Sequence, residues 1–429
     1  MQFEEGPDFA RRMDAEDPVR HRRDQFLIPM APKGEEMAYF CGHSLGLQPK
    51  RAERYVEEAR EDWARFGVDA HFRSKHPYSR YATLAKAGFA RLVGAQDHEV
   101  TAMNGLTVNL HLMMVSFYRP TRERYRVVME NTPFPSDRFA VESQVRFHAD
   151  ARGFDASKAV VELKPRDGER LHRPADLIEF LEREGKSVAL VLLGQVNYLT
   201  GQAFDLKAIA QAARKAGCAV GFDLAHGAGN LMDLNLHDSG ADFAVWCTYK
   251  YLNGGPGCVA GAFVHERHHS TPLPRFEGWW GNHVDSRFRM AGPFEPAPGA
   301  DAWQISNTPI LTMAPLRASL EIFDGIERET LAAKARSLTG YLEFLIDRLP
   351  GAAVQIVTPR DPKQRGCQLS LKVEGVGKEL VEKMREEGVL VDFREPDVLR
   401  LAPVPLYNTH EDVWRAAQAL RTVLLSSMR

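Results

Sequence analysis

Between residues 185 and 265 short apolar runs alternate with one amphipathic stretch, and this alternation restricts the chain to few folds. VALVLL (188–193) reads as a strand. FDLKAIAQAARKAG (204–217) reads as a helix, with Asp205 as its N-cap and Gly217 as its stop. CAVGFD (218–223) is strand-like again, which completes a βαβ unit. DFAVWC (242–247) and GCVAGAFV (257–264) extend the series. Runs this continuously apolar suit strands covered on both faces. The expectation is an open α/β sheet, with ligands bound beyond the carboxyl ends of its strands.

At 429 residues the chain exceeds what one core usually serves, and its length suggests roughly two to three domains. Residues 311–349 look mostly helical. Beyond them CQLSLKV, KELVEKMREEG, VLVDF, VLRLAPV and a last helix starting near residue 410 form a compact α+β set. The expected division is an N-terminal arm and helix over 1–60, a large α/β domain over 61–310, and a linking helix with a smaller α+β domain over 311–429. The arm is expected to pack with the small domain.

Lys plus Arg total 55 against 57 Asp plus Glu, so no charge excess points to nucleic acid or an anionic membrane. The start, MQFEEGPDFARRMDAEDP, carries acids where a secretion signal needs an apolar core. No stretch approaches the ~18 apolar residues of a spanning helix. A cytoplasmic location is expected. Cys41, Cys218, Cys247, Cys258 and Cys367 are scattered without a CxxC. That suits reduced thiols rather than a disulfide framework or structural zinc, and no metal is expected.

In WCTYKYLNGGPG (246–257), Lys250 follows an apolar strand and precedes glycines that let the backbone approach a ligand. A surface lysine, a phosphate-holding lysine and a covalent anchor all fit that position. Asp223 ends the strand before it, with His226 three residues on. An Asp-x-x-His there can be a simple Asx turn. A carboxylate and a lysine converging at one sheet edge also suit pyridoxal phosphate, where the lysine forms the Schiff base and the carboxylate keeps the pyridine nitrogen protonated. NGLTVNLHLMMVSFY (104–118) opens a helix at Asn104 and Gly105 and places Leu106 and Thr107 in its first turn. It reads as a capped core helix or as a nest for the cofactor's phosphate. TPFPSDRFA (132–140) places Phe134, an aromatic able to stack on a ring, ahead of Pro135, Ser136 and Asp137.

These segments together resemble kynureninase, a fold-type-I pyridoxal-phosphate enzyme of the class V aminotransferase kind. The resemblance rests on CGHSLGLQP (41–49), MNGLTVNLHLMMVSFYRP (103–120), FPSD (134–137), GFDLAHGAGN (221–230), WCTYKYLNGGPG, EGWWGN (277–282), ISNTPI (305–310) and RLAPVPLYN (400–408), which span nearly the whole chain. It implies Lys250 as the Schiff-base lysine, Asp223 as the pyridinium partner and His226 beside the cofactor's phenolic oxygen. Phe134 would stack on the ring. Leu106, Thr107, Pro135, Ser136, Asp137, Tyr249, Trp279 and Asn307 would complete the cofactor site, some of them from the second subunit of a homodimer. Arg400 would grip the substrate α-carboxylate, with Ser44 nearby, and His71, Ser306 and Asn307 would face the aryl ring. Gly194 and Gln195 depart from the pattern, since a polar or acidic side chain facing the cofactor is expected after VALVLL.

The implied reaction is hydrolytic cleavage of the Cβ–Cγ bond of kynurenine or 3-hydroxykynurenine in tryptophan catabolism, the hydroxylated one well accepted. Lys250 is the expected base, and Tyr249 the expected proton-transfer partner. Two rival readings stand beside it. HERHH (265–269) matches H-E-x-x-H, with His265 and His269 as zinc ligands and Glu266 as base, if it lies on a helix. A cysteine desulfurase needs a nucleophilic thiol on a mobile loop, for which Cys41 and Cys367 are the candidates.

Overall fold

The computed structural model describes residues 2–427 except 33, 291, 350–353 and 374–376. Seven strands form the large sheet: β1 (Val100–Ala102), β2 (Arg126–Glu130), β3 (Val160–Leu163), β4 (Val188–Gly194), β5 (Ala219–Asp223), β6 (Phe243–Trp246) and β7 (Gly261–Val264). Their spatial order is β1-β7-β6-β5-β4-β2-β3. The five strands from β3 to β6 run parallel, as the apolar runs predict. GCVAGAFV is strand only over its second half, and β7 is antiparallel to both β6 and β1. Gly255 and Gly257, both at positive φ, turn the chain back there, and no crossover helix intervenes to restore the parallel direction.

Alternate residues of β4 serve opposite sides of the sheet. Val191 and Leu193 pack into one apolar cluster, Leu190 and Leu192 into another. Helices cover both faces, among them α1 (Leu106–Phe117), α2 (Pro135–Arg152) and α3 (Leu206–Lys215). The predicted N-cap of α3 is present: the Asp205 carboxylate accepts the N–H of Lys207 and of Ala208 at 3.0 and 3.1 Å. From β2 the chain moves outward to β3, then returns to the other side of β2 as β4 and proceeds the opposite way. That reversal opens a crevice at the carboxyl ends of β2 and β4.

After α4 (Ile310–Asp324) and α5 (Arg328–Ile346) comes a second, antiparallel sheet of β8 (Val354–Ile356), β9 (Leu369–Val373), β10 (Asp392–Arg394) and β11 (Val398–Leu401), in the order β8-β9-β11-β10. Its apolar face packs on α5 and on α6 (His410–Ser427). Phe9, Ala10 and Met13 of the first helix, Pro7–Glu16, share that core. Ala38–Tyr39 pairs with Val389–Leu390, while helix Ala52–Phe66 lies on α4 through Tyr55, Ala59, Ala314 and Ala318. Among the described residues, no helix is long and apolar enough to cross a membrane.

Candidate active site

Asp223 is the last residue of β5, in register with Gly194 of β4 and Val245 of β6. Its Oδ1 accepts the N–H of Ala225 at 2.5 Å, so the Asx-type turn is real. The carboxyl nevertheless stays in the crevice: Asp223 is 6% exposed and lines a cavity together with Lys250. Lys250 follows β6 by four residues, and its Nζ lies 5.5 Å from the ring centroid of Phe134. Acid and amine therefore reach one cavity from adjacent parallel strands. Leu106, Thr107, Phe134, Ser136, Asp137, His226 and Tyr249 line the same cavity.

Two helices begin at its wall. Gly105 at the N-terminus of α1 offers no side-chain cap, and Pro135 starts α2 at a position where its missing N–H costs nothing. The Thr107 and Ser136 hydroxyls meet at 2.6 Å between the two helix starts. Converging helix N-termini with hydroxyls between them form an anion cradle.

Three carboxyls share this buried space. Burial raises Asp137 well above the usual carboxylate range, with the Asp223 and Glu130 charges adding to the effect. Asp223 is raised by burial too, against the opposing pull of the Ala225 N–H, Asp137 and Lys250. Burial pushes Glu130 up to about 8. Burial, then Lys250 and Arg400, push His226 well below its ordinary value, which keeps the imidazole neutral. Burial also raises the Tyr249 phenol, so it holds its proton at neutral pH. His226 Nδ1 and Asp137 Oδ1 are buried without a hydrogen-bond partner among the described residues. A flat, polar, phosphorylated ring fits this donor and acceptor set, with Phe134 as its plate, Lys250 for its aldehyde and the hydroxyl cradle for its phosphate.

Glu130 and Tyr198, both missed in the sequence, line the cavity as well. Glu130 ends an apolar strand just as Asp223 does, and that signal could have found it. Its carboxyl lies over Gly194, where a Cβ would come within 2.8 Å of Oε1. Gln195 turns away and packs over Gly227, so it contributes no side chain to the cavity. Tyr198 sets its ring edge-on to Phe134 at 5.3 Å and accepts a hydrogen bond from Arg400 Nη1 on its carbonyl at 2.8 Å. Arg400 is thus tied to the cavity wall.

The remaining expected residues do not line the Lys250 cavity within one protomer. His71 and Asn307 line a separate cavity with Trp63 and Tyr78, and Ser306 is exposed beside it. Trp279 is half exposed, donating from Nε1 to the Arg287 carbonyl at 2.8 Å. Ser44 is exposed, with its N–H bonded to the Cys41 carbonyl at 2.8 Å.

H-E-x-x-H does not form a metal face. Glu266–His268 is a single 3-10 turn, Glu266 pairs with His98 at 2.9 Å, and His269 Nε2 meets the Val264 carbonyl at 2.9 Å. His265 lies instead near Glu99 and His237, but its Nδ1 accepts the Arg267 N–H and the Glu99 carboxylate accepts the N–H of Gln96 and Glu266. Burial pushes the Cys41 and Cys367 thiols up to about 12, the reverse of what a desulfurase nucleophile needs.

Residues 331–420 match the family model described as the kynureninase C-terminal domain. A kynureninase of Myxococcus xanthus is 57% identical over 419 residues, covering 97% of each chain. One of Koribacter versatilis is 53% identical over 417 residues, again 97% of each. Among solved structures, a mutant of the cystine C–S lyase C-DES, with glycine covalently linked to its PLP cofactor, superposes with a TM-score of 0.76 at 18% identity, over 93% of this chain and 98% of that one. The cysteine desulfurase CsdA of Escherichia coli gives 0.74 at 18% identity, over 94% and 98%. At such identity the structures share the fold alone.

Proposed function

The chain belongs to the kynureninase family, and from that premise we propose that it hydrolyses the Cβ–Cγ bond of L-kynurenine or 3-hydroxy-L-kynurenine. Water is consumed, and anthranilate or 3-hydroxyanthranilate leaves with L-alanine. The observation that carries this reading is the shared cavity of Asp223, Lys250 and Phe134 at the ends of neighbouring strands. When bound, pyridoxal phosphate supplies an electron sink for charge developing next to the substrate amine.

The chain's own residues do the rest. Thr107, Ser136 and the free N–H groups opening α1 and α2 hold the phosphate. Asp223 would hold the proton on the ring nitrogen, and Asp137, whose carboxyl burial raises, would lie beside it. Phe134 covers one ring face and excludes water. Lys250 Nζ would hold the cofactor's aldehyde carbon and would be the base that moves the α-proton. Tyr249 keeps its phenolic proton available for transfer. Arg400 binds the α-carboxylate. Borohydride reduction of the purified protein, followed by peptide mass analysis, is expected to fix the cofactor on Lys250, and kynurenine is expected to yield fluorescent anthranilate. An unmodified Lys250 or no anthranilate overturns the reading.

The working unit is a homodimer in which Trp279, Asn307, Ser306 and His71 complete the partner's site. Two facts support this: these residues do not line the Lys250 cavity in one protomer, and Phe72, Phe288 and Trp279 form an exposed aromatic cluster next to His71, with ring contacts of 5.1 and 5.3 Å. His71, Ser306 and Asn307 would satisfy a ring hydroxyl, so 3-hydroxykynurenine is expected to be well accepted; comparing kcat/KM for the two substrates tests this, and a strong preference for kynurenine would refute it. Free cysteines suit a cytoplasmic setting. For the division into 1–60, 61–310 and 311–429, the support is that Phe9, Ala10, Met13, Ala38 and Phe40 of the arm share the small domain's core, while Val19, Phe26, Leu47 and several residues beyond 310 pack into the large domain's cluster.

A further inference from the structure

The anchoring arginine is held before any substrate arrives. Strands β10 and β11 run antiparallel, and their register sets Asp392 directly opposite Arg400. Arg400 is 1% exposed; its Nε and Nη2 both reach Asp392 Oδ1, at 2.8 and 2.7 Å, and its Nη1 is the donor to the Tyr198 carbonyl. A guanidinium carries five N–H donors. Nε–H and one Nη1–H are committed to hydrogen bonds and Nη2 is held in the ion pair, so each terminal nitrogen keeps an N–H, and a carboxylate can accept the two in parallel.

Asp392 also binds Arg394, whose Nε and Nη2 reach its two oxygens at 3.1 Å each. Two guanidinium groups on one carboxylate leave a net positive charge. Two further titratable groups lie near: Cys41, whose thiol burial and Asp392 push up to about 12, and His43, with Nε2 at 3.9 Å from Asp392 Oδ1 and its ring 6.2 Å from that of His226. Burial and Arg400 push His43 down to about 4, so it adds no charge at neutral pH. Burial works against the Asp392 carboxylate, but His43, Arg400 and Arg394 outweigh it and hold the group well below the usual range. The cluster is thus charged to accept a single anion.

We propose that Asp392 is the positioning residue of the α-carboxylate site: opposite Arg400 in register, it fixes one edge of the guanidinium so that the two remaining N–H groups, with Arg394 behind them, receive the substrate's α-carboxylate. This deepens the reading of Arg400 given above and rests on it. Asp392 touches neither cofactor nor reacting atoms. Its effect is confined to ligands that carry an α-carboxylate.

The test compares two ligands of the holoenzyme: alanine, which carries the carboxylate, and kynuramine, the amine of kynurenine without it. In Asp392→Asn, alanine affinity is expected to fall about tenfold, the scale of one charge-assisted hydrogen bond, and KM for kynurenine to rise alike, with kcat and kynuramine affinity little changed. Asp392→Glu keeps the charge but displaces it, and is expected to weaken alanine equally. Unchanged alanine binding, an equal loss for both ligands, or full rescue by glutamate would overturn the proposal. So would loss of cofactor absorbance in both variants, which would make Asp392 a folding element. Arg400→Lys separates the two readings. If alanine binding survives it, the assignment of Arg400 falls; if it fails there but survives Asp392→Asn, only the role of Asp392 falls.

Discussion

The main-chain N–H of Gly194 points at the carboxyl of Glu130, 3.1 Å from one oxygen and 3.2 Å from the other, across the ends of two adjacent parallel strands. Those strands, β2 and β4, flank the point where the sheet order reverses. The polar group that the family resemblance led one to expect from residue 194 is supplied sideways by β2. A side chain at 194 would collide with it.

Glu130 should leave a mark on pH-dependent stability. Burial, with Asp223 adding, raises its carboxyl from 4.5 to about 8. Between those values the folded chain holds a proton that the unfolded chain has released. Stability of the cofactor-free protein therefore falls as pH rises through this window, by at most about 1.4 kcal/mol per unit for one proton. Glu130→Gln is expected to flatten the decline in Tm across that range, and an unaltered slope would contradict the assignment. Asp137 and Asp223, also raised, keep part of the slope in the variant.

Asp223→Asn should keep the fold, because an amide oxygen can still accept the Ala225 N–H. Cofactor absorbance should persist while kcat for kynurenine falls by about 10²–10⁴, the range typical of losing control over one catalytic proton. Retention of more than a tenth of wild-type kcat would remove Asp223 from the mechanism.

Thr107→Ala and Ser136→Ala should each weaken cofactor binding by about tenfold, with kcat little altered once cofactor saturates. The two hydroxyls share a hydrogen bond, so the double variant should lose less than the product of the single losses. Equilibrium dialysis against pyridoxal phosphate measures both effects. Multiplicative losses would place the hydroxyls in independent roles.

Mixing two inactive variants tests the shared site. Lys250→Ala and Asn307→Ala proteins, unfolded together and refolded, should recover about a quarter of wild-type activity. Random pairing makes half the dimers mixed, each with one intact site. Recovery at the level of the unmixed variants would mean that each protomer works alone.

The sequence exposed Asp223 and Lys250 because each closes an apolar run, and parallel strands carry their ends to one edge. Thr107 and Ser136 were legible for a related reason: each sits just inside a helix start marked by Gly105 or Pro135. Glu130 was overlooked because an acid after VVM resembles any strand leaving the core, and only the neighbouring strand gives it meaning. Asp392 was hidden more deeply, since its pairing with Arg400 depends on the β10–β11 register, which no local pattern encodes. The reversal of β7 escaped for a similar reason, because an apolar run looks the same in either direction. Trp279, His71, Ser306 and Asn307 do not line the Lys250 cavity in one protomer, so the role proposed for them depends on a second copy.

Lys250 rides on the seven-stranded sheet and Arg400 on the four-stranded one, and the Tyr198 carbonyl tethers the second to the first. With the roles proposed for them, the gap between amine and guanidinium is a caliper whose jaws belong to different sheets, and the spacing of those sheets would set which amino acids are held at the right length to react.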